Sequence, residues 1–435
     1  MTGHTGFRVR PYALPFGLCM ALGCRDAAAP NVIATNDDTP GPFVAVGVGD
    51  NTTCGLDNLG QAYCWGSNFD GQLGTGETTF RVTVPHRVSN LPGPAKSLVV
   101  GTNHQCILTG DGRAYCWGGN GGGQLGTGAA ATATGVSPVS GGLTFSSLSA
   151  GGGYTCGITV EQRAYCWGAD GYGELGAGDR SCLGTSACYF PAPVEVAGDL
   201  RFVQLSAGRH HTCGVSVDGA GYCWGDNDSG QLGNASVPIQ CGAFPDHLRC
   251  VSTSPTPIAG GLKFLRLAAG AYHTCAITSE GAAYCWGLTV ADPAIGATAL
   301  GNSAYTSPKL SQRGSRLPVP VSGDLTFREI TAGNGVTCGL TVDARSVCWG
   351  DNNYGQLGRG GIDPISTTSP LMVRMPRTQT APDVGEDYHA CALATSGRIW
   401  CWGGLNFYGE LGSEPVSEPA VNAILRAEPT PVTRP

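Results

Sequence analysis

Short alternations of apolar and polar residues recur along the chain, each bounded by glycine. Residues 106–109 lead into the tripeptide Gly110-Asp111-Gly112, and residues 113–116 lead out of it. Two short strands joined by a three-residue loop, with glycine in the left-handed position, form a favoured β-hairpin. An apolar segment that ends in glycine, such as residues 148–151, stands before each hairpin. The pattern predicts many short strands and no long helix.

This hairpin recurs seven times, and each copy ends in Cys-Trp-Gly. The repeat tryptophans are Trp65, Trp117, Trp167, Trp224, Trp286, Trp349 and Trp402, which lie 50 to 63 residues apart. A motif that returns at such a period is typical of a repeat fold. A Pro-Val segment stands further upstream, as at Pro193-Val194 and Pro320-Val321. We therefore expect units of four strands that begin with Pro-Val and end with Cys-Trp-Gly. Seven such units predict an all-β fold, a seven-bladed β-propeller.

The two ends of the repeat region predict how the ring closes. Residues 43–47 resemble the second strand of a unit, with no Pro-Val segment before them. Pro431-Val432 resembles a first strand with no hairpin after it. We expect Pro431-Val432 to complete the blade that Phe43 begins, so that pairing of the N- and C-terminal segments closes the ring without an open edge.

Composition agrees with this fold and limits the classes of partner. The 435 residues include 69 glycines and 28 prolines, and only 13% are charged, as many strands and tight turns require. The net charge of -7 argues against nucleic acid, since phosphate binding needs a clustered basic face.

The N-terminal residues resemble a processing signal. Arg8 and Arg10 precede an apolar stretch, residues 11–23, that is too short to span a bilayer. The stretch ends at Cys24 and resembles a bacterial lipoprotein signal, which implies lipidation of Cys24; an ordinary secretory signal cleaved nearby is the alternative. We expect a signal segment at 1–24, a flexible linker at 25–42 and the propeller at 43–435. Either signal predicts the bacterial cell envelope or secretion.

The cysteines predict a disulfide framework. Fourteen form seven pairs at a constant spacing: Cys54 with Cys64, Cys106 with Cys116, Cys156 with Cys166, Cys213 with Cys223, Cys275 with Cys285, Cys338 with Cys348, and Cys391 with Cys401. The hairpin register places each pair at opposed non-hydrogen-bonded positions, about 4.5 Å apart, which a disulfide tolerates. Metal binding is the competing interpretation, but zinc sites favour closely spaced pairs. We expect two further bridges, Cys182 with Cys188 and Cys241 with Cys250.

The combined repeat pattern resembles that of a known family. Ala-Gly-x-x-His-Thr-Cys, followed by Asp-Gly-x-x-Tyr-Cys-Trp-Gly-x-Asn-x-x-Gly-Gln-Leu-Gly, is similar to the regulator of chromosome condensation repeat. Residues 207–233 and 332–358 keep much of it, and the similarity covers residues 43–435. The resemblance implies that family's seven-bladed propeller. It also implies guanine-nucleotide exchange on a small GTPase, the activity of the founding members.

Comparison of the seven repeats separates scaffold from candidate surface. The repeat tryptophans are constant, and we expect them to be buried between blades. Four recurrent histidines, His104, His211, His273 and His389, are expected to bond a neighbouring backbone group. The loop before each first cysteine and the turn after Trp-Gly vary, and they supply the candidate partner-binding residues Arg209, His210, Tyr272, Asp387, Tyr388, Phe69, Tyr172 and Tyr354. Insertions at 177–191, 234–255 and 288–316 lengthen three consecutive repeats.

No catalytic residues, cofactor fingerprint or metal signature stand out in the sequence. We therefore expect a non-enzymatic, monomeric binding propeller outside the cytoplasm, which recognises a protein or glycan through its variable loops and touches the membrane only through a lipid anchor. Nucleotide exchange is the alternative that the family implies. A secreted lyase or hydrolase that uses the central channel is the third.

Overall fold

Strands and glycine turns alternate to build seven antiparallel sheets, each from strands that follow one another in the chain. The computed structural model describes residues 40–433 except 78, 131–132, 179–187, 235–239, 244–247, 289–298, 302–313, 362–366, 386–387, 405 and 414–426. Within these ranges no helix is long and apolar enough to cross a membrane.

Each sheet is a blade with four positions. The innermost strands are β1 (Phe43–Val48), β5 (Ala95–Val100), β9 (Phe145–Ala150), β13 (Phe202–Ala207), β18 (Phe264–Ala269), β22 (Phe327–Ala332) and β26 (Asp383–Val384). The second strands are β2 (Thr52–Asp57), β6 (His104–Thr109), β10 (Tyr154–Thr159), β14 (His211–Ser216), β19 (His273–Thr278), β23 (Val336–Thr341) and β27 (His389–Leu393).

The third and outer positions complete each blade. The third strands are β3 (Ala62–Ser67), β7 (Ala114–Gly118), β11 (Ala164–Ala169), β15 (Gly221–Asp226), β20 (Ala283–Gly287), β24 (Ser346–Gly350) and β28 (Ile399–Gly403). The outer strands are β4 (Arg81–Arg87), β8 (Ala133–Pro138), β12 (Tyr189–Glu195), β17 (Leu248–Pro257), β21 (Ser315–Pro320), β25 (Thr367–Met372) and β29 (Thr430–Pro431). Blade four adds a fifth strand, β16 (Gln240–Ala243), outside β17.

The innermost strands form a ring around a central cavity of about 330 Å³. Each contacts the innermost strand of the next blade, and β26 contacts β1, which closes the ring. The predicted all-β, seven-bladed propeller is therefore confirmed.

The strand pairing predicted at the ring closure is wrong. Thr430 and Pro431 pair with Cys401 and Trp400 and so complete the last blade, whereas β1 starts a blade that its own outer strand β4 completes. Each unit thus begins with its innermost strand and ends with the Pro-Val strand. Proline has no backbone N–H, so it suits a strand whose outer edge is unpaired. The two ends still meet through side chains, because Phe43 and Val432 belong to one hydrophobic cluster.

The hairpins have the predicted register. In the second blade Cys106 lies opposite Cys116, Thr109 N–H donates to Arg113 O, and Gly112 takes a positive φ of 81°. In all seven blades the cysteine of the third strand lies opposite the cysteine of the second strand.

All seven hairpin pairs are disulfide-bonded, with Cα atoms 4.0 to 4.1 Å apart, so the predicted bridges are present. The bonded pairs are Cys54 with Cys64, Cys106 with Cys116, Cys156 with Cys166, Cys213 with Cys223, Cys275 with Cys285, Cys338 with Cys348, and Cys391 with Cys401. The Cα separation is slightly shorter than the expected value of about 4.5 Å for a non-hydrogen-bonded pair. Each bridge closes a short loop and should add about 2–3 kcal/mol to the free energy of unfolding.

The hydrophobic core lies between the blades. All seven repeat tryptophans are completely buried, as expected, and each cluster combines residues of two neighbouring blades. In the cluster between blades one and two, Trp117 packs with Leu56 and Leu73 of the preceding blade. Tryptophan supplies the large apolar area that such a junction needs.

Candidate functional site: the loop rim

Both sets of variable loops lie at the same end of the ring, which we call the loop rim. In blades one to six, a hydrogen bond joins the turn after Trp-Gly to the loop before the first cysteine, as from Ser67 N–H to Asn51 O and from Asp226 N–H to His210 O. The three-residue hairpin loops lie at the opposite end, the turn rim.

Seven glycines form a ring where the innermost strands reach the loop rim: Gly49, Gly101, Gly151, Gly208, Gly270, Gly333 and Gly385. A Cβ added to any of them would lie 2.3 to 3.0 Å from the carbonyl oxygen of the next glycine around the ring. Several of these carbonyls accept a hydrogen bond from the preceding blade, as Gly208 O does from Gly152 N–H at 3.1 Å. The absence of a side chain therefore lets the blades approach closely here.

A second contact joins the blades beneath the rim. The carbonyl of Gln124 in blade two accepts hydrogen bonds from both Trp167 Nε1 and Thr155 Oγ1 of blade three, each at 3.0 Å. Glu410 O accepts the same pair from Trp65 and Thr53, so the junction between the last and first blades follows the pattern of the others.

The recurrent histidines extend this contact, and their predicted backbone bond is wrong. His104 Nε2 lies 2.8 Å from Thr155 Oγ1 of the next blade, and His211, His273 and His389 contact Thr274, Thr337 and Thr53 in the same way. Because the threonine hydroxyl proton is donated to a carbonyl, the histidine Nε2 must donate to the hydroxyl oxygen. Nδ1 then carries no proton, and it has no hydrogen-bond partner.

Burial keeps these four rings neutral. It lowers the pKa of His104 and of His273 to about 4, and that of His389 to about 3. Burial and then the nearby His273 and His210 lower the pKa of His211 to about 3. A charged imidazolium would lose its hydration without gaining an anionic partner. These histidines are therefore structural.

The turn after Trp-Gly is held by two buried side chains. Asn120 Oδ1 accepts from Leu125 N–H, and Gln124 Oε1 accepts from Gly122 N–H. Three other blades repeat this Asn and Gln pair, so the asparagine has a structural role in the turn. Blade three has Asp170 and Glu174 instead, and burial raises the pKa of Glu174 well above its usual value. Glu174 thus stands where most other blades have a glutamine, and its carboxyl group accepts the same backbone N–H in the turn.

The structure brings the candidate binding residues together in pairs across blade junctions. Tyr172 of blade three stacks on His210 of blade four, with ring centroids 4.1 Å apart. Tyr354 of blade six stacks on Tyr388 of blade seven at 4.6 Å.

Two more of these candidates meet at the junction of blades four and five. The Arg209 guanidinium lies over the ring of Tyr272 at 5.9 Å, and its Nη1 donates to the tyrosine hydroxyl. Asp387 lies outside the described residues. The candidate pairs thus lie at three blade junctions of one rim, those of blades three and four, four and five, and six and seven.

The insertions also leave and rejoin the blades at the loop rim. Cys188 O accepts from Asp170 N–H, and Asp228 Oδ1 accepts from Cys250 N–H at 2.7 Å. Cys188 and Cys250 each take part in a disulfide bond. Cys241 lies opposite Cys250 in the register of β16 and β17. Cys182 lies outside the described residues, so the pairings of Cys182 with Cys188 and of Cys241 with Cys250 remain predictions, as does lipidation of Cys24.

The remaining candidate, Phe69, lies in a larger aromatic group that sequence comparison missed. It stacks on Phe80 at 6.2 Å and meets Tyr408 edge-on at 5.6 Å. The Arg81 guanidinium lies over Phe80 at 5.5 Å, and its Nη1 donates to Phe407 O. We call these five residues the rim patch. Phe80 and Arg81 have no counterpart in the repeat pattern, so comparison of repeats carried no signal for them.

The described residues offer no metal centre, since nowhere among them do three His, Cys, Asp or Glu side chains come together as ligands. In the central cavity, burial raises the pKa of Asp383 to about 6. Its carboxylate oxygens accept the N–H groups of Val48 and Val384. Asp383 thus links the last blade to the first.

These features define an RCC1-like β-propeller. The sequence model of the RCC1-like domain matches residues 18–313, and the regulator of chromosome condensation (RCC1) repeat matches residues 327–356 and 384–410. The chain belongs to the RCC1-like domain family.

A curated relative matches the chain at low sequence identity, and the solved neighbours share its fold. Ultraviolet-B receptor UVR8 of Arabidopsis thaliana is 28% identical over 246 residues, which cover 54% of this chain and 49% of UVR8. The chain thus spans about half the length of that relative. Prp20p of Saccharomyces cerevisiae, described with binding to Gsp1p and histones, superposes with a TM-score of 0.70 at 19% identity over 87% of each chain. Human WBSCR16 gives a TM-score of 0.68 at 21% identity, over 82% of this chain and 88% of its own.

Proposed function

We propose that this chain is a non-enzymatic binding propeller that recognises a protein partner through its loop rim, outside the cytoplasm. The observation that carries the proposal is the placement of its variable residues. Tyr172, His210, Tyr354 and Tyr388 pair across blade junctions on the rim that also bears the insertions. Aromatic side chains and arginine are enriched at the energetic centres of protein interfaces.

The disulfide framework supports an oxidising compartment. Seven bridges, one in each hairpin, are completely buried between the blades. Structural disulfides in bacteria and eukaryotes are typical of exported proteins and rare in the cytosol. This compartment separates the chain from cytosolic GTPases.

The path of the N-terminal segment suits display of the loop rim. Phe43 N–H donates to Gly397 O, and Pro42 O accepts from Asn58 N–H, so the described chain starts beside two hairpin loops of the turn rim. We propose that residues 1–24 are the signal segment, that Cys24 carries a lipid, and that residues 25–42 tether a monomeric propeller to the bacterial envelope. An anchor at Cys24 would then join the propeller at its turn rim, opposite the loop rim.

Capture with matched variants tests the proposal. The wild-type chain is immobilised and exposed to the envelope fraction and medium of its source, and bound molecules are cross-linked and quantified by mass spectrometry. The double variant Tyr172→Ala/Tyr354→Ala should lose the specific partner. The control Val160→Ala/Val342→Ala removes exposed side chains from the turn rim of the same two blades and should keep it.

Three outcomes would overturn the proposal. The first is equal capture by both double variants, and the second is a glycan rather than a protein as the rim-dependent partner. The third is accelerated nucleotide release from a small GTPase, which would favour the exchange activity instead. Prp20p, described with binding to Gsp1p, is 19% identical to this chain, and at that identity the likeness supports the fold alone.

A further inference from the structure

The rim patch is the part of the loop rim where several aromatic rings are exposed together. Phe69, Phe80 and Phe407 expose 65%, 56% and 51% of their surfaces. A phenylalanine side chain presents 150–250 Å² when fully accessible, so these three leave roughly 300 Å² of apolar surface in water. That matches the largest apolar patch on a typical monomer, about 300–600 Å², and such patches are often functional.

The patch is held in shape by two blades. Phe69 belongs to the turn after Trp65-Gly66, and Phe80 immediately precedes outer strand β4 of the same blade. The loop of blade seven crosses onto that strand, where a Cβ on Gly409 would lie 2.6 Å from Thr83 Cα. A patch fixed in this way loses little conformational entropy when a partner binds.

The polar groups of the patch indicate one kind of partner. Asp70 accepts a hydrogen bond from Asn103 Nδ2, and the positively charged Arg81 guanidinium lies over the ring of Phe80. The Phe80 ring and the Phe407 carbonyl hold the guanidinium in place, and one of its five donors is used by that carbonyl. A guanidinium fork fits a carboxylate with two parallel hydrogen bonds.

This chemistry favours protein over glycan. A sugar presents many hydroxyl groups that need hydrogen-bond partners when they leave water. The three exposed phenylalanines offer none, whereas they match the apolar side chains at the centre of a protein interface.

We propose that the rim patch docks a protein segment in which an apolar side chain, placed on Phe69, Phe80 and Phe407, is flanked by a carboxylate that pairs with Arg81. This inference rests on the proposed function and assigns the partner's chemistry at one place on the loop rim.

A peptide panel with a charge swap tests it. The probes are fluorescent decapeptides with a central Leu, Phe or Pro, in three matched series whose flanking residues are aspartate, lysine or serine. Binding is measured by fluorescence anisotropy on the full chain. Members of the aspartate series should bind. Phe80→Ala should weaken that binding by between tenfold and a hundredfold, because it removes about a third of the apolar patch.

Arg81→Glu supplies the sharper readout, since it should exchange the preference from the aspartate to the lysine series. Leu59→Ala, at an exposed turn-rim position of the same blade, should leave every affinity unchanged. Near-ultraviolet circular dichroism checks that each variant keeps the folded ring.

The inference fails if no aspartate-flanked peptide binds, or if Arg81→Glu leaves the preference as it was. It also fails if cellohexaose or chitohexaose binds and Phe80→Ala abolishes that binding. If partner capture depends on Tyr172 and Tyr354 but tolerates Phe80→Ala/Arg81→Glu, the proposed function stands and this inference alone is wrong.

Discussion

Replacing His104 by valine should remove part of the propeller's sensitivity to mild acid. His104 is completely buried, and burial lowers its pKa from 6.5 to about 4. Between these values the unfolded chain binds a proton that the folded chain excludes. The free energy of unfolding therefore has its full value, as far as His104 is concerned, above pH 6.5, and it decreases as the pH falls towards 4. The loss is about 2 kcal/mol at pH 5, from 1.36 kcal/mol per pH unit.

The assay is the free energy of unfolding in guanidinium chloride at pH 7.5 and pH 5.0, with the disulfides intact. At pH 7.5 the His104→Val variant should be less stable by about 1–2 kcal/mol, because it loses a hydrogen bond to Thr155 and some packing. The difference between the two pH values should shrink by about 2 kcal/mol relative to wild type.

A matched control separates titration from packing. Val336 occupies the equivalent position in blade six and is likewise buried. Val336→Ala should lower stability equally at both pH values. If His104→Val keeps the wild-type pH difference, the neutral, buried state assigned to this histidine is wrong.

Three further perturbations test the ring, each by the same unfolding titration. Gly151→Ala should cost more than about 3 kcal/mol or prevent closure, because the new Cβ would lie 2.4 Å from Gly208 O; a smaller cost would refute the close approach. Asp383→Asn should remove about 3 kcal/mol of the stability that the wild type loses between pH 3.5 and pH 7.5, since burial raises the carboxyl pKa from 3.8 to about 6 and stability falls as the pH rises between these values; an unchanged pH dependence would contradict this. Cys106→Ser/Cys116→Ser should lower stability by about 2–3 kcal/mol, and no change would count against that bridge.

The parts of this fold that sequence predicts are those that local geometry determines. A three-residue loop sets the hairpin register, and the register in turn opposes Cys106 to Cys116. The pairing of the outer strand is not determined locally, because a long, variable connection separates this strand from the hairpin that it joins. Pro431 matches the pattern equally well as the first strand of one blade or the last of another. Only the pairing of Pro431 with Trp400 in the folded chain shows that Pro431 belongs to the last blade.

The candidate site divides in the same way. Variation among repeats identified Tyr172 and His210 singly, because each lies in a variable loop. Their stacking depends on the contact between two blades, which a single repeat does not encode. Comparison of the repeats did not identify Phe80 and Arg81. They lie in a connection that differs in every repeat, so the repeats cannot be aligned there.

Recognition by this ring must depend on side chains other than those that hold the blades together beneath the rim. The carbonyl of Gln124 already accepts two hydrogen bonds, the histidine donates to the threonine hydroxyl, and the glycine ring leaves no room for a Cβ. A change at any of these positions costs stability before it can alter binding. Phe69 and Phe407 are under no such constraint, because more than half of each side chain lies in water. The same scaffold can therefore carry different rim residues, and partner choice can change while the seven-bladed ring is kept.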